Sequence, residues 1–319
     1  MSERAPEAVL WDFLRGAMTT KALAIVSDLR IAQALADGPK PIAELARGSG
    51  IDSDVLHRLL RALASDGVFA EEKPGVFRNT EASELLLSPG WTEFAHLFGG
   101  AFYEAAGDLD RAARTGAATF RDRFGDEFWP WLGARADERA VFDRAMAGER
   151  WRKAERLAEL EWREDEVVVD VGGGNGALLL DLLRRRPELR GIVFDLPETD
   201  RDETVFGDRI EFVAGSFFER VPTGDAYVLS AIVHNWDDER AGSILRTIRA
   251  AAPTGGRLLA TETVVQPGNE PDGAKWPDLL MLVLAGGRER TEPEWRALLE
   301  GAGFEPVRIE DGMVEARCP

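Results

Sequence analysis

The sequence predicts an α/β fold, with a mainly parallel sheet in its second half behind a helical first half. The stretch Val167–Gly176 reads VVVDVGGGNG, an apolar run followed by an acid and spaced glycines, which is typical of a buried strand that turns into a helix. Before it, apolar residues recur mainly at helical spacing. After it, short apolar runs alternate with helical stretches, which indicates a parallel sheet covered by helices on both faces.

The second half is expected to supply six strands and three helices. The predicted strands are 166–171, 191–195, 210–214, 225–230, 256–264 and 304–309, and the predicted helices are 176–186, 238–252 and 292–302. We predict three segments along the chain: a helical and winged-helix region at 1–90, an aromatic-rich helical linker at 91–162, and the sheet domain at 163–319.

The composition excludes several classes of function. A net charge of −18 repels phosphate backbones, so nucleic acid is a poor partner. No apolar run approaches the roughly 20 residues that cross a bilayer, and the N-terminus lacks the apolar centre of a signal peptide. Because the chain has a single cysteine, Cys318, it can form neither an internal disulfide nor a site of several thiolates. We therefore expect a cytoplasmic protein without a membrane partner.

The N-terminal 90 residues predict a winged-helix module. Residues 8–36 are more apolar than a solvated helix requires, so part of them is expected to contact another chain. A short helix, a second helix capped by Asp52 or Ser53, and a hairpin at 68–77 follow. Such a module either binds DNA or mediates dimerisation. Eight acids stand against six bases in residues 37–81, which favours dimerisation because a DNA reader needs a basic face.

The glycine turn predicts a cofactor site. Gly172, Gly174 and Gly176 lack side chains, so the backbone can approach a ligand and adopt positive φ. Together with Ala177 they also satisfy the dinucleotide fingerprint, so the turn alone does not separate a nicotinamide cofactor from S-adenosylmethionine. Asp195, at the end of the next strand, is placed to hold the ribose hydroxyls of either cofactor.

Asp170 favours the methyl donor over the hydride carrier. It directly precedes the glycine turn, where its carboxylate would repel a pyrophosphate but suits the ammonium of a bound methionine moiety. The glycine strand also stands behind a large helical region, with only one βαβαβ set around it. Three alternating glycines with two strand-end acids disfavour a turn that binds nothing.

A histidine after a later predicted strand is the candidate general base. His234 lies in VLSAIVHNWDDER, at the carboxyl end of a strand, where open α/β sheets bind ligands. A phenol has a pKa of about 10, and a neutral imidazole can take its proton as the oxygen attacks a methyl carbon. Glu262 and Glu289 can fix the imidazole tautomer and stabilise its charged form. The alternatives are a packed histidine and surface ion pairs, the latter above all for Glu289 between Arg288 and Arg290.

These motifs in this order resemble a known family over essentially the whole chain. The chain is similar to the small-molecule O-methyltransferases that include plant caffeic acid and isoflavone enzymes, acetylserotonin methyltransferase and bacterial polyketide methyltransferases. The shared motifs are VVDVGGGNG, FDLPE, GSFF at 215–218, HNWDDE at 234–239, DLLML at 278–282, GGRERTEPEW and GAGF at 301–304. Each motif is weak alone, and their combination is specific.

The resemblance implies a Rossmann-like catalytic domain behind a winged-helix dimerisation domain, in a homodimer whose N-terminal helices help close the partner's substrate pocket. Asp195 would hold the ribose, Leu196 would pack on the adenine and Trp236 would lie near it. The expected residues are Asp170, Gly172, Gly174, Gly176, Asp195, Leu196, Ser216, Phe217, Ser230 and Trp236 for the donor, His234, Glu262 and Glu289 for catalysis, and Trp129, Met146 and Met281 for the acceptor pocket.

Two positions depart from the family pattern. Many members have an acid that contacts the adenine amine where this chain has Ser216, and a basic residue where it has Ser230. Both losses predict a weaker donor site unless water or neighbouring groups replace them. Some relatives with this fold hydroxylate or catalyse pericyclic steps while keeping the cofactor. The intact set of His234, Glu262 and Glu289 favours methyl transfer to a phenolic or enolic hydroxyl. We expect no metal, since no cluster of ligands besides these acids is recognisable.

Overall fold

The computed structural model describes residues 5–88, 90–147, 150–197, 199, 209–310 and 312–319. The helices are α1 (Pro6–Asp28), α2 (Ile31–Ala34), α3 (Ile42–Ser49), α4 (Ser53–Ser65), α5 (Glu81–Glu84), α6 (Trp91–Gly99), α7 (Ala101–Ala106), α8 (Leu109–Thr115), α9 (Phe120–Phe124), α10 (Phe128–Gly133), α11 (Ala136–Ala147), α12 (Arg150–Ala158), α13 (Ala177–Arg185), α14 (Asp238–Ala251), α15 (Lys275–Ala285) and α16 (Glu292–Gly301). The strands are β1 (Lys40–Pro41), β2 (Phe69–Lys73), β3 (Val76–Asn79), β4 (Val167–Val171), β5 (Arg190–Asp195), β6 (Ile210–Ala214), β7 (Ala226–Ser230), β8 (Arg257–Thr261), β9 (Val264–Val265), β10 (Arg290–Thr291), β11 (Glu305–Glu310) and β12 (Met313–Arg317).

The chain divides into two compact units. One comprises the described residues of Met1–Gly107 and Trp129–Glu149, and the other comprises those of Asp108–Phe128 and Arg150–Pro319. The predicted segments 1–90, 91–162 and 163–319 remain a prediction about organisation, and the two units share the middle segment between them. Among the described residues, no helix combines the length and the apolar character needed to cross a membrane.

The first unit contains the predicted winged helix. Helices α3 and α4 precede the antiparallel hairpin β2–β3, and β1 adds a third strand beside β3. Of the two capping candidates, Asp52 is the N-cap of α4, and its Oδ1 accepts a hydrogen bond from the backbone N–H of Val55 at 3.0 Å. The inward faces of these elements bury one apolar cluster that includes Leu56, Leu60 and Phe77.

Helix α1 leaves apolar side chains in solvent. Leu14 is 75% exposed and Met18 is 73% exposed, and Leu10, Trp11 and Phe13 are each more than half exposed. A soluble chain rarely leaves so many large apolar groups in contact with water unless another surface covers them. This arrangement agrees with the apolar excess of residues 8–36.

The second unit is built on a seven-stranded sheet with the order β11-β12-β8-β7-β4-β5-β6. Strands β8, β7, β4, β5 and β6 are mutually parallel, which confirms the predicted parallel-rich α/β sheet. Strand β12 was not predicted, and it runs antiparallel between β8 and β11. The predicted strand 256–264 ends at Thr261, and helix α15 was also absent from the sequence-based prediction.

Both faces of the sheet are buried because alternate strand residues point to opposite sides. On one face Val168, Val193 and Leu259 pack on Leu179 of α13 and Leu157 of α12. On the other face Val169, Leu229 and Leu258 pack on α14 and α16. The parallel strands therefore share one carboxyl edge.

Candidate active site

The carboxyl edge of the sheet gathers most of the predicted site residues. Asp195 is the last residue of β5, and Ser230 is the last residue of β7. Asp170 is the next-to-last residue of β4, and Glu262 directly follows β8. These four strands are neighbours in the order β5-β4-β7-β8. Their ends therefore form a continuous row, with His234 in the 3-10 turn that follows β7.

The glycine turn after β4 has the conformation that glycine permits. Gly172, Gly174 and Gly176 have φ values of 73°, 58° and 77°, in the left-handed region. A Cβ atom on Gly172 would lie 2.6 Å from Cδ1 of Ile232, whereas one on Gly174 would meet no protein atom within 4 Å. The turn thus packs tightly at its base and is open at its tip, as a backbone cradle for a ligand requires.

Asp195 ties the glycine turn to β5. Its Oδ2 accepts a hydrogen bond from the N–H of Gly174 at 2.7 Å, and its Oδ1 accepts from the N–H of Leu196 at 2.7 Å and from Oγ1 of Thr199 at 2.9 Å. Three of the roughly four lone pairs of a carboxylate are therefore used within the protein. One acceptor position on Oδ2 is left for a ribose hydroxyl, fewer than the two oxygens that the sequence suggested. Glu198, the last residue of the FDLPE motif, lies outside the described residues.

Asp170 is buried beneath the glycine turn without a hydrogen-bond partner among the described residues. Its side chain is 1% exposed, and both carboxylate oxygens are unsatisfied. A Cβ on Gly173 would lie 2.7 Å from Oδ2 of Asp170, so the acid supports the turn directly. Burial, together with the neighbouring charge of Asp195, raises the pKa of Asp170 to about 7. An unsatisfied buried acid at this place fits a ligand that brings a cation or donor.

An aromatic cluster lies beyond the strand ends. The ring of Phe218 lies 4.9 Å from that of Phe217 and 4.9 Å from that of Trp236, and Phe217 lies 6.1 Å from Trp236. Oγ of Ser216 accepts a hydrogen bond from the N–H of Phe218 at 3.3 Å. Leu196 is 45% exposed. Apolar and aromatic surfaces of this kind suit a flat heterocycle.

His234 stands between two buried glutamates. Its Nδ1 lies 3.0 Å from Oε1 of Glu289 and 3.3 Å from Oε2 of Glu262. Glu262 is 3% exposed and Glu289 is 6% exposed, so the surface ion pairs considered as alternatives are wrong for both. Because Nδ1 faces the carboxylates, Nε2 is the nitrogen that can act on a ligand.

The two glutamates hold the histidine in different ways. Oε1 of Glu262 accepts the backbone N–H groups of Ile232 and Val233 at 2.8 and 2.7 Å, so this residue shapes the turn that carries His234. Glu289 makes the hydrogen bond to the imidazole itself. Burial opposes the charged imidazolium, but the charge of Glu262 and the hydrogen bond and charge of Glu289 outweigh it and raise the pKa of His234.

One candidate ligand atom from each of His234, Glu262 and Glu289 lies within 4.8 Å of the other two, close enough to hold a metal ion. However, Oε1 of Glu262 already accepts two backbone N–H groups, and Nδ1 of His234 already bonds Glu289. The arrangement is that of a histidine oriented by carboxylates.

Two residues that the sequence did not single out, Asp278 and Arg290, hold this centre. Asp278 on α15 accepts the N–H of Glu289 at 2.8 Å. Arg290, 1% exposed, donates to the carbonyls of Val233 at 3.2 Å and Trp236 at 2.9 Å. Arg290 thus bonds both ends of the turn that carries His234, which we call the histidine turn, and Asp278 holds the backbone of the glutamate that bonds the imidazole. The DLLML and GGRER motifs contain Asp278 and Arg290, but only the fold shows what they contact.

Lys153 on α12 is a further residue that the sequence did not indicate. Its Nζ donates to Oγ of Ser230 at 3.3 Å. The ammonium thus lies at the end of β7, beside Ser230. A lysine 17 residues before Asp170 in an amphipathic helix gives no local signal of this contact.

The three residues predicted for the acceptor pocket belong to different units of the chain. In the first unit, Trp129 packs edge-on against Phe142 at 5.7 Å, and Met146 lies one helical turn after Phe142 and is 38% exposed. In the second unit, Met281 lies on α15, the helix that also carries Asp278. Their role in binding an acceptor stays a prediction.

Comparison with known proteins supports the same assignment. Residues 11–89 match the family model of the O-methyltransferase dimerisation domain, and residues 106–305 match that of the O-methyltransferase domain. The chain is 38% identical to the phenazine O-methyltransferase PhzM of Lysobacter antibioticus, over 95% of this chain and 92% of that protein. It is 36% identical to a 3-amino-4-hydroxybenzoate 4-O-methyltransferase of Streptomyces cremeus, over 93% and 84%.

A solved structure extends the comparison to the fold. An O-methyltransferase from neocarzinostatin biosynthesis, bound to S-adenosylmethionine and 2-hydroxy-5-methyl naphthoic acid, superposes with a TM-score of 0.81 at 33% identity, over 94% of this chain and 96% of that one. The predicted fold, family and cofactor are thereby confirmed. The chain belongs to the O-methyltransferase family and is an S-adenosylmethionine-dependent O-methyltransferase with an N-terminal dimerisation domain.

Proposed function

We propose that this enzyme methylates a phenolic or enolic hydroxyl of an aromatic secondary metabolite, with His234 as the general base. The observation that carries the proposal is the contact of Nδ1 with Glu289 at 3.0 Å, with Glu262 close behind. It favours the tautomer with the proton on Nδ1, so Nε2 presents a lone pair. Both carboxylates then stabilise the imidazolium once Nε2 has taken the hydroxyl proton.

The donor site is proposed along the row of strand ends. S-adenosylmethionine supplies an electrophilic methyl group when bound. Asp195 accepts a ribose hydroxyl on Oδ2, the open tip of the turn at Gly174 faces the donor, and Asp170 takes the ammonium of its methionine part. The unsatisfied oxygens of Asp170 support this assignment, because an ammonium would satisfy them and favour the charged carboxylate. Trp236 and Phe217 flank the adenine.

The active form is proposed to be a cytoplasmic homodimer formed through α1. The exposed apolar residues of that helix and the dimerisation-domain match support this. Light scattering of purified protein should give twice the chain mass. Leu14→Glu should shift the population towards monomer, whereas Val307→Glu, which alters another half-exposed apolar side chain, should leave the dimer intact. A monomeric wild type would refute the proposal.

The test of the chemistry combines an assay with one substitution. Purified enzyme, S-adenosylmethionine and a panel of hydroxylated naphthoates and phenols should yield S-adenosylhomocysteine and a methyl ether. His234→Gln should lower kcat by about 10²–10⁴-fold and leave the Kd of the donor unchanged, because only the proton acceptor is lost. The matched control is His96→Gln, since His96 pairs with Asp28 in the first unit. Unchanged turnover of His234→Gln would remove it from the base role.

A further inference from the structure

We propose that Lys153 binds the carboxylate of the methionine part of S-adenosylmethionine and so replaces, from helix α12, the basic residue that this chain lacks at Ser230. The inference rests on the donor orientation proposed above, with the ribose at Asp195 and the ammonium at Asp170.

The strand order supplies the first argument. Asp195, Asp170 and Ser230 mark the ends of β5, β4 and β7, which are adjacent and about 4.8 Å apart. A donor whose ribose lies at β5 and whose ammonium lies at β4 extends towards β7. Its carboxylate, on the same carbon as the ammonium, is then the group that comes nearest to Ser230 and Lys153.

Lys153 contacts Ser230 at the end of β7. Nζ of Lys153 lies 3.3 Å from Oγ of Ser230, and the side chain is partly buried at the edge of the sheet. Helix α12 is fixed there because Ala154 and Leu157 are fully buried against the sheet and α13. Ala154 and Leu157 thus anchor the lysine at the strand ends, whereas the side chain of Arg152 is exposed.

The charges of the donor favour a lysine only at its carboxylate. S-adenosylmethionine carries a sulfonium and an ammonium, both positive, and its carboxylate is its single negative group. A lysine beside this ligand is repelled by its two positive groups and attracted only by that carboxylate. The positive charge of Lys153 acts on both Asp170 and His234 and opposes the rise of their pKa values, so it lies within the electrostatic reach of the site. Asp170 and Lys153 together match the two opposite charges of the amino-acid end.

The test compares two donors on four proteins by titration calorimetry. The probes are S-adenosylmethionine and its decarboxylated form, which keeps the sulfonium and the amine. Wild type should bind the complete donor more tightly. Lys153→Met should weaken binding of the complete donor by about 10–100-fold, the range expected for a lost charge-assisted hydrogen bond, and should spare the decarboxylated form. Lys153→Arg should restore most of the preference, and Arg152→Met, on the exposed side of α12, should behave as wild type.

Three outcomes overturn the inference. Lys153→Met can weaken both donors equally, which would assign the lysine a structural role, and thermal unfolding of the variant would show the loss of stability. Wild type can bind both donors equally, which would leave the carboxylate without a protein cation. If wild type binds neither donor, the proposed donor site is wrong, and the inference about Lys153 is wrong with it. In contrast, a lost preference in Lys153→Met at unchanged melting temperature confirms the contact.

Discussion

The Nδ1 atom of His234 lies 3.0 Å from Oε1 of Glu289, although 55 residues separate them in the chain. The contact is made within a buried cluster, where a carboxylate stabilises an imidazolium more strongly than it would in water. The turn that holds His234 is itself fixed by hydrogen bonds of its backbone, from an N–H group to Glu262 and from Arg290 to a carbonyl. These contacts lead to five predictions.

Glu289→Gln should move the acid limb of the pH–rate profile to lower pH. The neutral imidazole is the base, so activity rises with pH through the pKa of His234, and Glu289 helps to raise that pKa. Without the charge the pKa falls, and the maximal rate should also drop by about 10–100-fold because the imidazole is less well oriented. Profiles of kcat against pH test this. Glu292→Gln removes an exposed acid three residues away and should shift nothing; an unmoved limb in Glu289→Gln would contradict the assignment.

Glu262→Ala should cost stability as well as activity. It leaves the buried N–H groups of Ile232 and Val233 without their acceptor, at about 1–3 kcal/mol each. Glu262→Gln keeps an acceptor oxygen and should unfold near the wild-type temperature, yet its amide replaces the charge beside His234 and should slow turnover. Thermal unfolding with steady-state kinetics separates the two effects. Equal melting temperatures of the Ala variant and wild type would speak against the supporting role.

Gly287→Ala should destabilise the protein and disorder the histidine turn. The added Cβ would lie 2.1 Å from the carbonyl oxygen of His234 and 2.5 Å from the backbone of Asn235, which cannot move aside as a side chain does. We expect a loss of about 2–4 kcal/mol in the free energy of unfolding, measured by denaturant titration. Gly301→Ala is the control, because a Cβ there meets nothing within 4 Å in helix α16, and it should be neutral or stabilising.

Asp170→Asn should change how stability depends on pH. The pKa of Asp170 is about 7 in the native state, above its ordinary value, through burial and Asp195, with Lys153 opposing. Between about pH 4 and 7 the native state therefore holds more protons than the unfolded chain, and the stability of donor-free enzyme falls as pH rises. The Asn variant should lose this slope and unfold at a higher temperature than wild type at pH 8.

The same variant should bind S-adenosylmethionine more weakly, because its amide carries no negative charge and cannot form an ion pair with the ammonium. Melting curves at pH 5 and 8 without donor, followed by calorimetric titration with donor, measure both effects. An Asn variant that is less stable than wild type at pH 8, or that binds the donor unchanged, would contradict this account of Asp170.

Removal of divalent metals should leave the activity intact. The His234, Glu262 and Glu289 side chains are close enough for a metal, but Nδ1 of His234 already bonds Glu289 and Oε1 of Glu262 already accepts two backbone N–H groups. Dialysis against EDTA should therefore change neither kcat nor the melting temperature. A loss of activity that Mg²⁺ or Zn²⁺ restores would show that the cluster binds metal instead.

Much of this architecture follows from local sequence patterns. The glycine turn, the acids at strand ends and the alternation of apolar runs with helices predict the parallel sheet and the edge at which we propose that the donor binds. These features are readable because strand and helix periodicities and glycine conformations depend on neighbouring residues. Strand β12 escaped prediction because its place depends on pairing with β8, which is distant in the sequence. Helix α15 escaped it because Pro277 argues against a helix in the sequence, although a proline is tolerated in the first turn, where it lies.

The sequence by itself determined the family, the methyl donor and the identity of the histidine with its two acids. The tertiary structure decided which acid bonds the imidazole, which one supports the turn, and that Lys153 reaches Ser230 from another helix. Such contacts join residues that are 30 to 77 positions apart. They depend on how elements pack and where side chains point, and no local periodicity encodes that.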